Sequence, residues 1–319
     1  MPLFNQISPG IFVVGSFVTG VTVRVSRQPV AGETLIGCDF NLGPGGKGFN
    51  QAVAASRAGA IVSVILCTGK DIFAQMAETV LLKEHISTDL LFKIDGINTG
   101  CGLVTLLHSG ENSIIIDIGA NGKLTAEMIK QSTEFIANSK IVMAQLEVPD
   151  EAVEMAFLLG KEYGCITMLN PAPARPFLPG IINNTDILIP NESEAKIILG
   201  LPPDTDMPVM DIARKLGALN VKTIVMTRGK HGAVIITKKE IIEIAAPEIK
   251  PIDSTGAGDC FNGNLACALA KGIPLKEAVV RAVYAGAYCT QYLGVIDGLP
   301  EADKLDSYIM QHSRSINSV

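Results

Sequence analysis

The chain has 319 residues, 48% of them hydrophobic and 18% charged, with a net charge of −6; this fits an α/β domain with a substantial buried core and argues against a nucleic-acid partner. The seven cysteines are scattered, with no C-x-x-C pair and no His at ligand spacing, which argues against structural zinc. Their odd number, the lack of a basic, apolar leader in "MPLFNQISPG", and the lack of any apolar run of roughly 18 residues predict a cytoplasmic protein without a membrane span.

In chain order, "IFVVGS" (11–16) predicts a first core strand. The segment 17–44 has a different rhythm. "VTVRV" (21–25) alternates, and in "LIGCDFNL" (35–42) Ile36, Cys38, Phe40 and Leu42 share one face. Period two predicts a half-exposed antiparallel strand. "KGFNQAVAASRAGA" (47–60) predicts a helix stopped at Gly59, and "IVSVILCTG" (61–69) a buried strand. "CGLVTLLHSGENSIIIDI" (101–118), with a turn at 109–112, alternates again and completes a small sheet apart from the main one. A strand at 139–147, a helix at 150–163, "CITMLNPAPA" (165–174), a strand running into a helix at 186–195, and a strand pair over 222–237 follow. Strands alternating with helices predict a parallel sheet covered on both faces, with ligands beyond the carboxyl ends of the strands. No repeat, low-complexity tract or linker divides the chain, so 1–319 reads as one unit.

The stretch "DSTGAGDCFNG" (253–263) carries the most chemistry. From residue 257 the pattern is helical, with Phe261, Leu265 and Leu269 at i+4 and a stop at Lys271-Gly272-Ile273-Pro274. Gly256, Ala257 and Gly258 therefore lie at a helix N-terminus, where free N–H groups and the helix dipole attract an anion such as phosphate. Asp259 beside them either accepts a proton during phosphoryl transfer or complements the dipole.

"GPGGKGFNQA" (43–52) fails the Walker pattern, and "GSFVTG" (15–20) fails G-x-G-x-x-G. Lys47 and Asn50 share a helix face and suit either a polyhydroxylated ligand or plain solvation. Glu147 ends an apolar strand and needs a partner or a task. Asn191 and Glu194 either cap a helix or orient water around a metal.

Taken together, these motifs resemble the ribokinase-like (PfkB) carbohydrate kinases. "GGKGFNQAVAASRAGA" is similar to that family's first signature and "DSTGAGDCFNG" to its second; "AGET" (31–34), "NPAPA" and "PNESEA" match in order. The resemblance implies a doubly wound, mostly parallel sheet with helices on both faces, plus a small β-sheet lid from 17–44 and 98–118. It implies ATP-dependent transfer to a primary hydroxyl of a small sugar, with Asp259 as base and the amides of Gly256, Ala257 and Gly258 as anion hole. It puts Gly45, Gly46, Lys47, Asn50, Glu147 and Asp259 at the sugar. It puts Asn191, Thr227, Gly229 and Gly258 at the nucleotide, and Glu194 in the water network around Mg2+. A monovalent cation, K+, would involve Asp253, Thr255 and the late loop with Cys289, Tyr292 and Gly294; Gly298 stands where the family has a serine. Lid pairing in relatives implies a homodimer.

One departure bears on the substrate. Where the family has Asn and Asp to bond ring hydroxyls, this chain has Val18 and Gly20. Neither side chain accepts a hydrogen bond, so the expected substrate is a less hydroxylated or larger sugar than ribose. The neighbouring readings are a nucleoside or other small alcohol as acceptor, or a sugar-sensing regulator without catalysis. An NAD-binding oxidoreductase lacks its glycine fingerprint.

Overall fold

The computed structural model describes residues 10–108 and 112–316. Residues 1–9 and most of the expected turn at 109–112 lie outside the described residues. The strands are β1 Gly10–Val14, β2 Val18–Val25, β3 Cys38–Gly45, β4 Ile61–Thr68, β5 Leu91–Lys93, β6 Gly100–Leu107, β7 Asn112–Asp117, β8 Ile141–Ala144, β9 Ile166–Leu169, β10 Ile187–Leu188, β11 Thr223–Thr227, β12 Ala233–Thr237 and β13 Ile241–Ile244. The large sheet has the order β13-β12-β11-β10-β9-β8-β1-β4-β5. It is parallel from β11 through β5, and β12 and β13 add antiparallel edges.

Strand β1 shows why this sheet reads as apolar runs. Ile11 and Val13 join one core, while Phe12 and Val14 join the other. Both faces of β1 are covered by helices, so its buried residues Ile11–Val14 are all apolar. The chain order reverses on either side of β1, which leaves a crevice beyond the carboxyl ends of β1 and β8. Ser16 and Glu147 follow those two strands.

The small sheet has the order β3-β2-β6-β7. Its third strand starts and ends three residues later than the expected 35–42. Pairing with β2 runs from Arg24↔Cys38 to Val18↔Gly45, so Ile36 precedes the strand and stays 93% exposed. Strand β8 likewise stops at Ala144 rather than 147, leaving Glu147 in the crevice loop. Asn121 pins the junction of the two sheets. Its buried amide accepts from the Phe17 N–H at 2.8 Å and donates to the Phe17 and Ile118 carbonyls at 2.7 and 2.9 Å. Asn121 thus ties the start of β2 to the end of β7 at the border of the small sheet.

Two helices bring the crevice residues together. The helix Ala257–Ala270 lies against Lys47–Arg57, and Gly263 makes the close contact possible. A Cβ at Gly263 would come within 2.6 Å of both the Ala54 Cβ and the Gln51 carbonyl oxygen. At the far end of Lys47–Arg57, Arg57 pairs with Glu84 through two bonds of 2.8 and 2.7 Å and donates to the carbonyls of Ile296 and Leu299. Both side chains are largely buried, at 12% and 7% exposure. Removing Glu84 leaves the Arg57 guanidinium with only the more distant, half-exposed Glu301 at 3.7 Å as a charged partner. Glu84→Ala should therefore cost about 3–5 kcal/mol in a denaturant unfolding experiment; a loss below about 1 kcal/mol, the level of a surface pair, would contradict this account.

Candidate active site

The helix Ala257–Ala270 starts at Gly256, whose φ of 78° is left-handed. A side chain there would also strike Val295, whose Cγ1 lies 2.3 Å from the Cβ position. Glycine is required on both counts. The turn leaves the amides of 256–259 at the N-terminal end of the helix with no side chain capping them, although the Ala257 N–H donates to the Ser254 carbonyl at 3.3 Å. Gly258 is exposed there, while Asp259 points inward and is buried.

Asp259 is held from both sides. Asn50 Nδ2 donates to Oδ2 and Gln51 Nε2 to Oδ1, each at 2.9 Å. Burial raises the pKa of Asp259 above the usual carboxylate value; Lys47 and the two amides oppose that rise, and Glu147 adds to it. Lys47 shows the converse balance. Burial would lower its pKa, but the carboxylates of Asp259, Glu147 and Glu194 outweigh that effect, so its ammonium is favoured.

Glu147 also has partners. Its Oε2 accepts from the Ser16 hydroxyl at 2.5 Å and from the Lys47 N–H at 2.9 Å. A buried acid after an apolar strand is thereby satisfied on one oxygen. Gly45 and Gly46 lead directly into Lys47, so the sugar-side candidates Gly45, Gly46, Lys47, Asn50, Glu147 and Asp259 gather at one place. The Phe17 and Phe49 rings pack edge to face, with centroids 4.9 Å apart.

On the other side of the 256–259 turn lies a cleft of about 690 Å³. Its walls include Thr227, Gly229, Gly258, Phe261, Val283 and Thr290. Three of the four nucleotide-side candidates thus share one cavity. The fourth, Asn191, stands beside it through a parallel bridge to Thr227.

Asn191 and Glu194 form a reciprocal cap. Glu194 N–H donates to Asn191 Oδ1 and Asn191 N–H to Glu194 Oε2, both at 2.8 Å. The capping alternative raised by the sequence is therefore present, and one oxygen of Glu194 is used in it. Burial raises the pKa of Glu194; the Asn191 N–H and Lys47 oppose the rise and Asp259 adds to it. Among the described residues no group of three or more His, Cys, Asp or Glu could hold a metal ion. A divalent ion here would depend on phosphate oxygens, with Glu194 the available carboxylate.

Asp253 accepts from the Thr255 N–H at 2.9 Å and from the Gly294 N–H at 3.3 Å, which assembles three of the cation candidates. Cys289 is buried nearby, and its carbonyl accepts from the Tyr292 N–H at 3.2 Å. The Tyr292 hydroxyl is turned away, onto that of Tyr288 at 2.9 Å.

Ser16, Gln51, Gln145, Asn170 and Asn121 were not expected from sequence. Gln51 and Gln145 had one available signal: each is a polar residue inside an otherwise apolar stretch, "NQAVAA" or "VMAQL".

Comparison with known proteins gives the family. The model of the pfkB family carbohydrate kinases matches residues 9–302. A ribokinase of Schizosaccharomyces pombe is 34% identical over 306 residues, covering 93% of this chain and 96% of that protein. A deoxyribokinase of Salmonella typhi is 32% identical over 300 residues, covering 94% and 98%. Among solved structures, Arabidopsis thaliana ribokinase complexed with ribose and ATP superimposes with a TM-score of 0.87 at 28% identity, covering 95% of this chain and 99% of that one. The chain belongs to the pfkB family of carbohydrate kinases.

Proposed function

We propose that the protein transfers the γ-phosphoryl group of ATP to a primary hydroxyl of a small sugar other than ribose, with Asp259 as the base. The observation that carries this reading is the juxtaposition of a buried, amide-held carboxylate with the uncapped amides of 256–259, between a polar crevice and a cleft. Asp259 takes the hydroxyl proton as the oxygen attacks phosphorus. The amides of Gly256, Ala257 and Gly258, with Lys47, face the negative charge on the transferring group. Sugar is held by Asn50, Glu147 and the backbone at Gly45 and Gly46; nucleotide lies along Asn191, Thr227, Gly229 and Gly258. Mg2+ carried with ATP would be reached by Glu194 through water and would supply charge neutralisation. A K+ ion would be held by Asp253, the Thr255 carbonyl and the loop with Cys289, Tyr292 and Gly294.

The lid supports a substrate poorer in ring hydroxyls. Paired residues of a sheet share a face. Gly45, Val18 and Gly100 form one row, and Gly43, Gly20 and Gly102 the next. In the extended chain Ser16, Val18 and Gly20 alternate to one side, and Ser16 meets Glu147. The second row continues to Ile116 of β7, so these two rows carry Val18 and Ile116 among glycines. A Cβ added at Gly43 meets nothing within 4 Å, and one added at Gly20 or Gly102 meets only an ordinary contact. These two rows offer room and no side-chain hydrogen bond; Thr22 and Asn41 stand in the row beyond them. Ring hydroxyls facing the two glycine-rich rows would lose their water without replacement.

The opposite face supports a homodimer through the lid. Leu42, Val21, Leu103 and Ile115 lie in one row across the four strands. Leu42, Leu103 and Ile115 are 40%, 52% and 70% exposed, and a contiguous apolar row of this kind marks an interaction surface.

Asp259→Asn should lower kcat by roughly 10²–10⁴-fold. Because only the ionised base works and burial raises its pKa, native kcat should fall on acidification at a higher pH than for an exposed aspartate. Near-normal turnover in the variant would reduce Asp259 to a structural role. ATP consumption across pentoses, deoxypentoses, ketohexoses and nucleosides, each in K+ and in N-methylglucamine, should rank another acceptor above ribose and run faster in K+. Ribose in first place, or equal rates in the two cations, would remove the corresponding part of the proposal. Sedimentation should give a dimer that Ile115→Asp dissociates; a native monomer would end the lid-pairing idea.

A further inference from the structure

The amides around Asp259 form a chain whose direction is fixed from one end. Gln145, Asn170 and Ile189 each follow directly on the close of a neighbouring parallel strand: β8, β9 and β10. The Ile189 carbonyl can only accept a hydrogen bond. Asn170 turns its NH2 to it at 3.0 Å, which leaves Asn170 Oδ1 as an acceptor. Gln51 Nε2 donates to that oxygen at 3.1 Å and to Asp259 Oδ1 at 2.9 Å. The remaining Gln51 oxygen accepts from Gln145 Nε2 at 2.7 Å. Gln51 is fully buried and Gln145 is 1% exposed, so water cannot stand in for a missing partner. A side-chain amide can turn over, and its two ends differ only in whether they donate or accept. Here each amide's sense is dictated by its neighbour, back to a main-chain group that cannot turn.

We propose that Gln51, Gln145 and Asn170 are positioning residues that lock the sense of this amide chain, so that Asp259 meets N–H groups and stays oriented as a proton acceptor. The inference rests on the reading of Asp259 as base. Gln51 touches Asp259; Gln145 and Asn170 act through Gln51. If Asn170 no longer accepts, Gln51 is free to present its carbonyl to the carboxylate, an arrangement that favours the protonated acid; if Gln145 no longer donates, the buried Gln51 oxygen loses its partner and the hold of Gln51 on Asp259 weakens. The charged and titratable groups facing Asp259 are Lys47 on the helix that carries Gln51, Glu147 beyond β8, Glu194 on the helix Glu192–Ile198, and the Cys260 thiol on its own helix. None is altered by replacing an amide.

Gln145→Met and Gln51→Met are near-isosteric and uncharged, and the proposal is read from their pH–rate profiles. Gln51→Met should lower kcat at neutral pH by roughly 10- to 100-fold, the value of a hydrogen bond to a charged group. The KM for ATP should stay within about threefold. Its acid limb should move to higher pH by about one unit. Gln145→Met, which does not touch Asp259, should move the limb in the same direction by a smaller amount. The limb's position does not depend on how much of the sample is folded, so a destabilised variant still reports. A native acid limb in both variants would overturn the proposal, as would a loss confined to the KM for ATP. Failure of the underlying base assignment is separate: it appears as retained turnover in Asp259→Asn.

Discussion

A carboxylate taken out of water tends to protonate, and a protonated aspartate cannot serve as a base. Asp259 is buried, and the arrangement around it opposes that tendency. Asn50 and Gln51 donate to its two oxygens, and Lys47 supplies positive charge. The helix that carries Asp259 adds the positive pole of its own N-terminus. The same pole is open to an anion on its outer side. One structural element thus opposes protonation of the acid from within and turns its N-terminal end toward the cleft from without. The rest of the crevice can be understood as what is needed to hold these two roles a few ångströms apart.

That spacing depends on close backbone contact more than on any side chain. Gly263 lets the helix Ala257–Ala270 settle onto Lys47–Arg57, which brings Asn50 and Gln51 to Asp259. Arg57, at the other end of the second helix, is tied to Glu84 and to the carbonyls of Ile296 and Leu299. The turn containing Ile296 is preceded by Val295, which packs over Gly256. The anion-facing turn, the base and the lid-side helix are therefore linked through one set of contacts. The small sheet is tied to this body at Asn121.

The alternation of the lid strands and the apolar runs of the main sheet were legible in the sequence, because a strand covered on one face and a strand covered on both leave different patterns. The glycines at 256 and 258 were legible as a helix start, and their neighbour Asp259 as an acid out of place. Strand limits were harder to read. β3 begins at Cys38 rather than 35 because its register follows β2, which local alternation does not encode. Asn191 and Glu194 could be read as cap or as metal network, and the reciprocal cap is present. The amide chain was out of reach. Gln51 and Asp259 are 208 positions apart, Gln51 and Asn170 are 119 apart, and Gln145 and Gln51 are 94 apart. A glutamine in an apolar run shows that a partner must exist; it does not show which one.

The most direct test is a crystal structure with a non-hydrolysable ATP analogue and the preferred acceptor bound together. The account predicts the terminal phosphorus against the 256–259 amides, and an Asp259 oxygen within about 3 Å of the acceptor's primary hydroxyl. A terminal phosphate seated away from that helix end, or an acceptor oxygen out of reach of Asp259 with the lid closed, would contradict it.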